Sequence, residues 1–157
     1  MENISPEFNS TDALLLYSIA YCQRHNYKAT LGQILLTTDA INRSFPTARQ
    51  LEDGLSRLKV SRYIEIQNEI FNVTVTKMGV RLFDDITTPQ NPKLNVFEQI
   101  RNLTNELQAS HVKTVSKQLT ITDAQVSEAR QEAHALFSEI SKEADEILSA
   151  RKAKESP

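Results

Sequence analysis

PTARQLEDGLSRLKVSRYIEIQNEIFNVTVTKMG, residues 46–79, changes its hydrophobic period part-way along, and that change decides the fold. In the first half, Leu51, Leu55 and Leu58 are four and three positions apart, which gathers them on one face of an α-helix. Pro46 suits the first turn of such a helix, where its missing amide hydrogen is not needed. A helix is therefore expected over about 46–60. From Tyr63 the period shortens to two: Tyr63-Ile64-Glu65-Ile66-Gln67 and Phe71-Asn72-Val73-Thr74-Val75 alternate apolar and polar residues. Each predicts a strand, and Asn68-Glu69-Ile70 is short enough to join them as a hairpin. Thr76 offers a cap to a short following helix with Val80, Leu82 and Phe83.

Upstream, the polar cluster Asn9-Ser10-Thr11-Asp12 offers capping oxygens to a first helix whose broad apolar face is Ala13, Leu14, Leu15, Leu16, Ile19 and Ala20. His25-Asn26-Tyr27 ends it. A second helix, capped by Thr30, is expected over about Leu31–Asn42, with Leu31, Ile34, Leu35 and Ile41 at near-helical spacing. Asn42-Arg43-Ser44-Phe45 is the turn into the third.

The order helix, helix, turn, helix, hairpin, helix over residues 10–86 resembles the winged helix-turn-helix superfamily. Phe45-Pro46-Thr47 is similar to the start of its recognition helix, Leu55-Ser56-Arg57-Leu58 before Tyr63-Ile64 to the passage into the first wing strand, and Val75-Thr76-Lys77-Met78-Gly79 to the step that closes the wing. A long helical tail after the wing resembles bacterial transcriptional regulators of the PadR and MarR type, which implies a dimeric DNA-binding protein. Two features depart from the family. Ser61-Arg62 stands where glycine is common before the first wing strand, and the wing tip Gln67-Asn68-Glu69 has no lysine or arginine to reach a phosphate.

Downstream, Thr87-Thr88-Pro89-Gln90-Asn91-Pro92 is a linker, because two prolines in four residues stop regular structure. A helix resumes at Leu94 with Phe97, Ile100, Leu103 and Leu107 as its stripe. Leu119-Thr120-Ile121 interrupts it, and Thr122-Asp123-Ala124-Gln125 has capping-box spacing for a last helix to about Ala150. Val126, Ala129, Ala133, Leu136, Ile140 and Ile147 match a heptad seam broken by Glu143. The seam can be covered by folding back on the Phe97–Leu107 helix or by pairing with a second subunit; a lone helix pair has too little core, which favours a dimer using both. The expected fold is mainly α with a small β-hairpin wing: a winged helix-turn-helix domain over 1–88, then a C-terminal helical hairpin or dimerisation arm over 93–153.

The N-terminal part of a recognition helix reaches base edges in the major groove. Here it offers Thr47, Arg49 and Gln50; arginine can fork onto guanine and glutamine onto adenine. Arg43, Arg57, Lys59 and Arg62 are candidate phosphate contacts, and the five cations from Arg43 to Arg62 face only Glu52 and Asp53, a local balance of +3. The alternative is that the same residues are solvated charges on an amphipathic helix. Net charge is −2, with nine Lys/Arg and ten Asp/Glu in each of 1–90 and 91–157, so neither half is a broad basic surface of the kind that drives phosphate binding. The expected function is a DNA-binding transcriptional regulator that reads double-stranded DNA with the helix over about 46–60 and dimerises through its C-terminal helices; the neutrality, the bare wing tip and the acids of helix three favour a rival reading, a winged-helix protein–protein interaction module without DNA binding. Gly54, costly inside a helix, marks either a close approach or a tolerated substitution.

Chemistry-bearing motifs are sparse. Cys22 and His25 are three apart but give two ligands where zinc needs three or four, and His111 and His134 stand alone. Asp84-Asp85 reads as a solvated linker pair, and three glycines in 157 residues argue against phosphate-cradling loops. No enzyme, metal or cofactor is expected. A single cysteine excludes an internal disulfide framework, and the amino terminus lacks a signal-peptide pattern; both suit the cytoplasm. No apolar run approaches the ~20 residues a membrane span needs, so no membrane partner is expected.

Overall fold

The computed structural model describes residues 2–67, 71–87, 95–110 and 114–155. In chain order the elements are β1 (Asn3–Ile4), α1 (Ser10–Arg24), α2 (Leu31–Asn42), α3 (Ala48–Val60), β2 (Ile64–Gln67), β3 (Asn72–Val75), α4 (Lys77–Thr87), α5 (Val96–Ala109), β4 (Val115–Ser116) and α6 (Asp123–Glu155). The fold is mainly helical with a small antiparallel hairpin. The expected turn at Asn68–Ile70, the linker over 88–92 and His111 lie outside the described residues.

Side-chain caps set the helix starts. The Asn9 side chain accepts from the backbone of Thr11 and Asp12 while Asp12 accepts from Asn9 N–H, so donors with no partner inside α1 are satisfied in both directions. Thr47 and Gln50 form the same reciprocal box on α3, which moves its first residue from Pro46 to Ala48. Asn95 with Glu98 and Thr122 with Gln125 repeat the device on α5 and α6.

α1 is the centre of the molecule. Every residue from Asp12 to Ala20 is buried, and α2, α3, α4, α5 and β3 all pack on it. A helix apolar on nearly all sides is stable only when surrounded; its buried Ser18 hydroxyl donates to Leu14 O at 2.7 Å and so leaves no unpaired donor. In the hairpin, Ile64 faces Val75 and Ile66 faces Val73, and Ala29 bridges Val73. Gly79 lets α4 close onto the hairpin base, since a Cβ there would collide with Tyr63 O.

The carboxy-terminal helices join this body. Ile100, Leu103 and Leu107 of α5, Ile121, and Val126, Ala129 and Ala133 of α6 belong to the same buried cluster as α1–α4. α5 packs on α1 and α4, whereas α6 packs on α2, so each finds its cover on the body and the expected α5–α6 hairpin is not the main contact. The segment between them returns to the amino terminus, where β4 pairs antiparallel with β1 in the register Asn3 opposite Ser116 and Ile4 opposite Val115.

Candidate functional site

α3 was the expected reading helix, and its middle is enclosed. Leu51, Gly54, Leu55 and Leu58 face the core, as the spacing requires, while Glu52, Ser56 and Arg57 are buried as well. Glu52 Oε1 accepts from Ile121 N–H at 2.6 Å and its other oxygen lies 2.8 Å from Lys117 Nζ. Ser56 Oγ, fully buried, accepts from Gln118 N–H at 2.9 Å. The segment 115–121 is thus strapped along one flank of α3. The carboxylate of Glu52 beside Lys117 holds that ammonium above the usual lysine range.

Arg57 closes the other flank. Its guanidinium forms a two-pronged ion pair with Asp12, Nε to Oδ2 at 2.7 Å and Nη2 to Oδ1 at 3.0 Å, and donates through Nη1 to Ser5 O at 3.1 Å. Its charge is matched inside the protein and turned away from solvent, so Arg57 is not available to a phosphate in this conformation. Gly54 takes its explanation from the same place: a Cβ there would meet Asp12 Oδ1 and Leu15 Cδ1 at 2.7 Å, so glycine permits close approach of α3 to α1.

The remaining expected DNA contacts divide between the two ends of α3. At its start Arg43, Thr47, Arg49 and Gln50 are exposed. The Gln50 oxygen is occupied by Thr47 N–H, leaving only its amide to donate, whereas a two-point contact to adenine needs both. Arg49 lies 3.8 Å from Asp53 and is otherwise in solvent. At the other end, Lys59 and Arg62 share a shallow depression with Lys77, Glu65 and Met78. Arg49 and Lys59 are ten positions apart, roughly 15 Å along the axis. Arg62 has φ 63°, the left-handed conformation that glycine adopts without strain.

α6 presents the opposite picture. Val126, Ala129 and Ala133 are buried within the chain, Thr30 donates to Glu132 at 3.2 Å, and Phe45 packs edge-on against His134 with the Arg130 guanidinium over its ring. These three seam residues are therefore covered by the chain's own α2 and cannot also face a second subunit. Beyond them Leu136 is half-buried, and Phe137, Ile140, Ile147 and Leu148 are 60%, 53%, 56% and 53% exposed, far from what large apolar side chains adopt when covered. At 100° per residue Val126, Ala129, Ala133, Phe137, Ile140, Ala144, Ile147 and Leu148 fall within an arc of about 100°. The stripe has period 3.6, and the break at Glu143 disappears because Ala144 occupies that level.

Other candidates resolve into structural roles. Cys22 is buried and lies 3.6 Å from Thr37 Oγ1, and burial pushes its thiol above the ordinary range. His25 is exposed and packs against the Tyr21 ring. Asp84 sits on α4 and pairs with Arg24, which also covers the Phe83 ring, so it ties α4 to α1 where a linker was expected. Among the described residues no group of three or more metal-ligating side chains comes together, and no helix is long and apolar enough to cross a membrane. Comparison with protein-family models, with curated proteins and with solved structures finds no match to this chain.

Proposed function

We propose that this chain is a winged-helix interaction module that assembles as a homodimer, with α1–α4 and the β2–β3 hairpin as its winged helix-turn-helix body and the outer half of α6 as its assembly surface. The contrast between α3 and α6 carries this reading. A helix that reads DNA must present its outward face to the major groove, and the middle of that face of α3, at Glu52, Ser56 and Arg57, is enclosed by contacts from Ser5, Lys117, Gln118 and Ile121. The outer half of α6 is instead a long, exposed apolar stripe. Helices in proteins draw most of their stability from packing an amphipathic face, so an uncovered stretch from Phe137 onward calls for a partner.

DNA binding is the second reading, favoured by Arg43, Arg49 and Gln50 at the exposed start of α3. A twofold dimer would offer two such ends. A random duplex titrated by fluorescence anisotropy across a salt series separates the two readings. The module reading expects binding no tighter than about 100 µM at physiological salt, weaker than most nonspecific DNA-binding proteins. Micromolar binding with a steep salt slope, lost in Arg43→Ala and Arg49→Ala, would replace it with the DNA reading.

A further inference from the structure

We infer that two copies pair their α6 arms antiparallel, crossing near Ile147, with the two bodies at opposite ends of the pair. This rests on the homodimer reading above and adds the polarity and register of its interface. The first argument is steric. The stripe exposed at Phe137–Leu148 is the same stripe that α2 covers at Val126–Ala133, and only four residues, roughly 6 Å, separate Ala133 from Phe137. Packed helices lie about 8–10 Å apart. In a parallel pair the two stripes face each other at equal height, so two α2 helices, each about 10 Å across, would have to fit between the α6 axes one turn from their closest approach. An antiparallel pair removes the conflict, because crossing at Ile147 sets the two Ala133 residues roughly 42 Å apart along the axis.

The second argument is charge. Residues 139–146 contain Glu139, Glu143, Asp145 and Glu146 against Lys142, and Arg151, Lys152 and Lys154 follow. At 100° per residue Arg151 lies within the arc of the apolar stripe and Glu143 about 40° outside it, on the flank of the stripe. A parallel pair stacks Arg151 on Arg151 and acid on acid, a confrontation that costs affinity. Crossing at Ile147 instead sets Glu143 opposite Arg151 of the second copy, and twofold symmetry makes that contact twice. Ile147 then meets its own equivalent at the axis.

Spin labels on single cysteines introduced as Ser138→Cys and Ser149→Cys test the polarity by pulsed dipolar spectroscopy, since both positions point away from the stripe and Cys22 is buried. Light scattering on the same samples reads the mass. The antiparallel pair expects a dimer in which the Ser138 labels are separated by roughly 27 Å along the axis and the Ser149 labels by roughly 6 Å. A dimer with similar short distances at both sites overturns the polarity and leaves the dimer reading standing. A monomer at every concentration removes both. Charge exchange gives an independent check: Arg151→Glu should weaken the dimer roughly fivefold or more, and adding Glu143→Arg should restore it. Failure of the second change to restore pairing would overturn the register.

Discussion

Removing the Asp12 carboxylate should be among the most damaging single changes in the molecule. Asp12 is fully buried and Arg57 is 5% exposed, and the carboxylate accepts two bonds from the guanidinium and one from Asn9 N–H. Asp12→Ala leaves a guanidinium enclosed without a counter-charge and a helix-cap donor without an acceptor. Breaking one side of a buried pair costs about 3–5 kcal/mol, which for a chain of this length lowers Tm by roughly 6–20 °C. The Arg49–Asp53 pair at 3.8 Å, with Arg49 in solvent and Asp53 half-buried, is the internal control: Asp53→Ala should change stability by less than about 1 kcal/mol. Replacing both buried partners, Asp12→Leu with Arg57→Met, should recover most of the loss, because apolar groups of similar size tolerate that site. Urea denaturation followed by far-ultraviolet circular dichroism reads all three. A loss below about 1 kcal/mol for Asp12→Ala would mean that water reaches the guanidinium and that Arg57 is free to act outside the chain.

Gly54→Ala should destabilise by roughly 1–3 kcal/mol despite the better helix propensity of alanine, since its Cβ meets Leu15 and Asp12; calorimetry giving a higher Tm would refute the close approach. Cys22 should resist a thiol reagent at pH 8 in the native state and react on denaturation. Its raised thiol value also fixes a sign: this stabilisation is complete below its ordinary value of 9.0 and fades as pH rises through the folded-state value. Rapid native labelling would place the thiol at the surface. Glu52→Ala should free the strap, seen as faster amide hydrogen exchange at Gln118 and Ile121 than in the parent; unchanged exchange would mean that Val115 and Ile121 hold the strap without it.

The elements that follow local rules were legible in the sequence. Caps at Asn9, Thr30 and Thr122 and the alternation of 63–67 and 71–75 place helix starts and strands within a residue or two, because each depends on neighbours two to four positions away, whereas α6 runs to Glu155, past its expected end at about Ala150. What escaped was long-range. Asp12 and Arg57 are 45 positions apart, Ile121 and Glu52 are 69 apart, and a two-residue strand such as β1 has no period to detect. Arg57 and Glu52 therefore read as solvated charges of an amphipathic helix. The α6 stripe was only half read: a seven-residue repeat hid Phe137, Ala144 and Leu148, which a 3.6-residue period collects on one face. Burial of Val126, Ala129 and Ala133 on α2 depends on where α5 turns back, which no local pattern specifies.

The most direct measurement is the mass of the full chain by light scattering from about 1 to 100 µM, with Ile140→Asp/Ile147→Asp as its partner sample. The parent should approach twice 17.8 kDa as concentration rises, and the double variant should stay at 17.8 kDa with unchanged circular dichroism. A parent chain that remains monomeric throughout, or a variant that dimerises as well as the parent, would contradict assembly through the outer half of α6.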